Sequence, residues 1–137
     1  MNNRRFTLEE ANAMLPRLRE DLAKLQELVK QFEGLYQELK QAKAEYLLQP
    51  AGQEGGDPFF EMEGRLDFLR MEAELFIENF TRQGVLLKMI KPGLIDFPAV
   101  VDGEEVLICW KEGEERITHY HGWHDGFAGR KPFPGAY

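Results

Sequence analysis

Two apolar seams of equal length constrain this chain more than any other feature. Leu18, Leu22, Leu25, Val29, Phe32, Tyr36 and Leu39 recur in alternating steps of four and three, and Phe59, Met62, Leu66, Leu69, Ala73, Phe76 and Phe80 repeat the pattern. Such steps keep side chains on one helical face, so each series predicts an amphipathic helix with a heptad-like stripe. Each stripe spans about 32 Å at the helical rise. Between them, residues 49–58 are rich in Gly and Pro and lack an apolar period, which reads as a mobile connection. Stripes of matched length zip antiparallel, so the expectation is a long helical hairpin of coiled-coil character over about 7–83.

Local signals refine the hairpin. Thr7 and Glu10 have the spacing of a capping box, in which each side chain satisfies the other residue's backbone N–H. Pro16 removes a helical donor and crowds the preceding turn, which predicts a kink or a break near Leu15. Gly84 falls where the second helix ends. Phe68, Leu75 and Ile77 lie beside the second seam and carry more apolar surface than one partner helix covers. Either the C-terminal region or a second copy of the hairpin must pack there, and a symmetric homodimer buries both extra stripes at once.

From Leu86 the period shortens. Leu86–Ile90, Leu94–Val101, Val106–Trp110 and Ile117–His121 are strand-length runs of β-favouring residues, with Asp102-Gly103 as a two-residue hairpin signal and a looser turn around Glu112-Gly113. The fold expected is α+β: a long antiparallel helical hairpin carrying a small C-terminal antiparallel β-meander over about 85–137, the whole chain 1–137 forming one domain.

The net charge of −7 is spread over both regions, with 12 basic against 16 acidic residues in 1–90 and 5 against 8 in 91–137. Nucleic-acid affinity rests on clustered Lys and Arg, so nucleic acid is an unexpected partner. Cys109 is the single cysteine. It excludes an intrachain disulfide and a four-thiolate zinc site, and with no secretory signal or membrane-length apolar run at the start it points to the cytoplasm and away from the membrane.

Residue types that carry chemistry crowd into the last third. All three histidines fall within six residues, and His119-Tyr120-His121 sets two imidazoles on one strand face. His124 or Asp125 in the following loop can close a divalent-metal site, and a carboxylate from Asp96 or Glu114 would suit zinc, manganese or iron. If the second hairpin is regular, Val106, Ile108 and Trp110 share a face with Ile117, His119 and His121, and Cys109 points the other way; a bulge in the second turn reverses this. The two-residue first turn sets Asp96 opposite Cys109. A carboxylate there raises the thiol pKa, so Cys109 reads as a small core residue rather than a nucleophile. Arg130, beside the flexible Gly126–Gly129 backbone and Lys131, can clamp an anion, and Trp110 is one of six aromatic residues, with Tyr120, Trp123, Phe127, Phe133 and Tyr137, read mainly as core.

Gly93-Leu94-Ile95-Asp96-Phe97-Pro98-Ala99, Leu107-Ile108-Cys109-Trp110, Gly113-Glu114, Ile117, His121 and Gly126-Phe127-Ala128-Gly129-Arg130 together resemble a bacterial family known as domain of unknown function 2203. Phe6-Thr7-Leu8-Glu9-Glu10-Ala11-Asn12 extends the resemblance over nearly the whole chain. It implies that Asp96, Cys109, Trp110, Glu114, His121 and Arg130 are the polar or reactive positions, and that His119 and His124 lie outside the pattern. Tyr120 stands where the family has Trp. The resemblance implies no activity.

Two functions follow. The first is a small cytosolic interaction or structural protein that self-associates through its helical hairpin. The second is a metal- or anion-dependent small-molecule binder or enzyme, with His121 as general base or ligand, Asp96 and Glu114 as orienting carboxylates, and Arg130 and Trp110 binding the ligand.

Overall fold

A computed structural model describes residues 4–49 and 56–135. Most of the connection expected at 49–58, namely 50–55, and the C-terminal Tyr137 lie outside these residues. Helix α1 (Leu8–Leu47) starts on the expected capping box: Glu10 N donates to Thr7 Oγ1 at 3.0 Å and Thr7 N to Glu10 Oε1 at 2.9 Å. Pro16 does not break it. The helix is continuous through Pro16, whose ring lies on the exposed side, while Ala11, Leu15, Leu18, Leu22 and Leu25 on either side of it enter one core. A proline inside a helix costs about 3 kcal/mol, and each fully buried Leu contributes roughly 1.5–3 kcal/mol, so the shared core outweighs the lost bond.

Helix α2 (Phe60–Arg82) returns antiparallel. Lys43 meets Glu63 at 3.2 Å near the connection, and Asn79 donates to Asp21 at 3.4 Å near the other end. The seam is unevenly covered. Leu18, Leu22, Leu25 and Phe80 are fully buried against the sheet, whereas toward the connection Leu39, Leu66 and Leu69 are the buried hydrophobic residues. Phe68, Leu75 and Ile77 stay exposed at 61, 60 and 38%, so the C-terminal sheet does not cover them.

The second region is a five-stranded antiparallel meander in the order β1 to β5: β1 Leu86–Met89, β2 Leu94–Val101, β3 Glu104–Lys111, β4 His119–Gly122 and β5 Lys131–Pro132. The α+β reading holds, with the short β5 added to it. Asp102 and Gly103 have φ of 50° and 79°, the two positive values that a two-residue hairpin turn of matching twist demands. Gly93 lets the β1–β2 turn lie against α1, since a Cβ there would sit 2.3 Å from Leu22 Cδ2. Ile95, Phe97, Ala99, Val106, Ile108 and Trp110 form the sheet's part of the core.

The β3–β4 register departs from the regular-hairpin expectation. Leu107 pairs with His121, Ile108 with Tyr120 and Cys109 with His119. Cys109 therefore shares a face with His119 and His121, not with Thr118 and Tyr120. The cause lies before β4. Asn12 of α1 brackets Ile117, its Nδ2 donating to the Ile117 carbonyl at 3.1 Å and its Oδ1 accepting from Ile117 N at 2.8 Å. Ile117 is thereby turned into the core, and the next residue packed on that core is Tyr120. Two residues intervene instead of one, and the strand's alternation flips.

Candidate metal centre

The flipped alternation gathers Asp96 from β2, Cys109 from β3 and His121 from β4 on the sheet face away from the helices. One carboxylate oxygen, the thiol sulfur and one imidazole nitrogen all lie within 4.8 Å of one another. All three residues are buried, at 3, 1 and 3% exposure. A face turned from the helices would be wet but for the segment after β4, which folds back through a 3₁₀ turn (Phe127–Gly129) into β5. Trp123, Gly126 and Phe127 roof a cavity of about 240 Å³ above Leu94, Asp96, Leu107, Cys109 and His121.

Hydrogen bonds set the proton positions. His121 Nδ1 lies 2.8 Å from the Gly122 carbonyl, which can only accept, so Nδ1 carries the proton. Nε2 turns to Asp96 Oδ2 at 3.4 Å. Burial pushes the Asp96 carboxyl above its ordinary value, against the opposing pull of His121, Cys109 and Lys88. Burial, and then the Asp96 charge, push the Cys109 thiol up to about 12. Without a cation this thiol keeps its proton and is no nucleophile. A bound metal reverses that logic, because its charge displaces the proton from a coordinating thiol.

Arg130 opposes that rise at Cys109 with its positive charge. Its guanidinium donates to Glu114 Oε2 at 2.8 Å and stacks 4.3 Å from the Phe127 ring centroid. Glu114 Oε1 accepts from Lys111 N at 2.7 Å. Glu114 and Arg130 thus pair with each other beside the centre and are not in the cavity lining. Trp110 is not in the cavity: it faces the helices, its Nε1 donating to the Glu114 carbonyl at 2.9 Å. A separate groove of about 360 Å³ between α1 and the β3–β4 loop has Trp110 and Arg19 in its wall.

The three-histidine arrangement does not form. His119 is half-buried and its Nδ1 meets Thr118 Oγ1 at 2.8 Å, while His124 is exposed on the turn after β4 and Asp125 accepts from Gly122 N at 3.1 Å. Among the described residues, Asp96, Cys109 and His121 are the group with metal-ligand spacing. Spacing left the side of Cys109 to depend on the second turn, and the β3–β4 register puts it on the face of His121, with Asn12 holding Ile117 from 105 positions away.

No helix among the described residues is long and apolar enough to cross a membrane. No curated protein and no solved structure matches the chain. A family model described as an uncharacterized conserved protein (DUF2203) matches residues 4–133, a span that includes every residue of the centre. The chain belongs to the DUF2203 family.

Proposed function

We propose that this protein is a metal-dependent small-molecule binder, with Asp96, Cys109 and His121 as ligands to one zinc-like ion. One observation carries the reading: three buried ligand atoms of different chemistry converge within 4.8 Å, and the imidazole's second nitrogen is held by a backbone carbonyl. Carboxylate, thiolate and imidazole together suit zinc, whose tetrahedron has ligand separations of roughly 3–4 Å. A backbone partner on the non-ligating nitrogen is the support that metal-bound histidines use. Three protein ligands would leave a tetrahedral ion one position for an outside ligand, and all three residues line the cavity.

The test is elemental analysis of purified, untagged protein after zinc loading and desalting. One zinc per chain is expected, lost in His121→Ala and in the near-isosteric Cys109→Ser, with circular dichroism unchanged. Zinc retained by both variants, or no zinc in the folded wild type, overturns the reading.

A second reading concerns assembly. Phe68, Met71 and Leu75 form an exposed row on α2 at 61, 55 and 60% exposure. Gly64 precedes the row with open space beside it. A two-fold axis through Met71 sets Phe68 against Leu75 of a second copy, and Arg70 against Glu72 or Glu74 of that copy, so the row complements itself. The net charge of −7 favours a protein over a nucleic acid as the partner. A single cysteine kept as a thiol suits the reducing cytoplasm.

A further inference from the structure

Among the described residues Lys88 is the one cation lining the cavity, and it stands at a backbone irregularity of β1. Leu86 pairs with Asp96, Leu87 with Ile95 and then Met89 with Leu94, leaving Lys88 as the extra residue of a β-bulge. Bulges re-aim side chains and concentrate beside functional sites. Leu86 is paired with Asp96, so strand alternation already sets Lys88 on the face that holds Asp96 and His121, and the bulge frees it from a partner on β2. Lys88 has no carboxylate at ion-pair distance among the described residues, although its charge is felt at Asp96.

Counting charges gives the sign of the ligand. A divalent ion held by the Asp96 carboxylate, the Cys109 thiolate and a neutral His121 is a net-neutral centre. Arg130 is matched by Glu114. Lys88 then leaves the cavity with one positive charge, and Asp96, already spent on the metal, is its single lining carboxylate. The walls give the shape. Trp123, Phe127, Leu94 and Leu107 make the rest of the lining largely apolar, in a volume below the roughly 300 Å³ at which drug-sized sites begin.

We infer that this site takes a small carboxylate with an apolar body, its anionic end shared between the metal's open position and the Lys88 ammonium and its body against Trp123 and Phe127. The inference rests on the metal reading above.

The test uses protein loaded with cobalt(II), whose visible spectrum reports the ligands around the ion. The loaded protein is titrated with benzoate and with benzamide, its neutral counterpart of the same shape. Benzoate is expected to change the cobalt spectrum and to bind at least about tenfold more tightly than benzamide, the difference a charge-assisted contact supplies. Lys88→Gln, at an exposed position, is expected to weaken benzoate about tenfold while each chain still binds one cobalt through Cys109. Cobalt bound through Cys109 but indifferent to benzoate, or equal affinities for both probes, overturns this inference and leaves the metal reading standing. Failure to bind cobalt overturns both.

Discussion

Asn12 shows how much one side chain of α1 decides. Its amide pairs with both backbone groups of Ile117, and it is that pairing which turns Ile117 inward and brings Cys109 onto the face of His121. Asn12→Ala leaves a peptide N–H and C=O without partners beside the core, each worth about 1–3 kcal/mol when unsatisfied. A loss of about 2–4 kcal/mol in urea unfolding is expected, together with weakened zinc retention although no ligand has changed. Glu112 offers a pH test. Its carboxylate accepts from Gly93 N and Gln26 Nε2, and those bonds hold its pKa below the ordinary 4.5. A depressed carboxylate stabilises the fold above its unfolded pKa, and that stability is lost as pH falls through the folded value. Glu112 is exposed, so the contribution is small. Wild type is expected to exceed Glu112→Gln by less than about 1 kcal/mol at neutral pH, with the two converging in acid. At this scale the sequence was legible where partners are close along the chain, as at Thr7 and Glu10 or Asp96 and Cys109. It was silent where they are distant.

Elements were more legible than residues because period and turn chemistry are local. Both seams became helices, and the Asp102-Gly103 turn set the β2–β3 register. Misreadings arose where tertiary contacts overrule a local rule. Pro16 interrupts a helix only if the halves are free to part, and here both are held in one core. The strand Lys131–Pro132 carries no period at all, and β-pairing with β4 makes it a strand. The Lys88 bulge is equally invisible, being a property of two strands together. The α2 row yields a prediction at this scale. Light scattering is expected to show a dimer for wild type, and Met71→Glu, which faces two carboxylates at the proposed axis, is expected to weaken dimerisation at least about tenfold without loss of helicity. A wild-type monomer at high concentration overturns that assignment.

For the whole molecule, the sheet separates two kinds of surface. Helices cover one face, Asp96, Cys109 and His121 with the roof of Trp123 and Phe127 lie on the other, and substitutions in the α2 row are expected to leave zinc retention intact. The Asn12–Ile117 bracket joins positions 105 residues apart, and Phe6 N donates to the Pro98 carbonyl at 2.7 Å in the same region. Helix α1 is made first, yet the partners of its opening turns are made last. At typical synthesis rates the wait is about 5–20 s. During that interval a forty-residue helix with an apolar stripe is exposed without the sheet that buries it, and surface of this kind is what chaperones shield during synthesis.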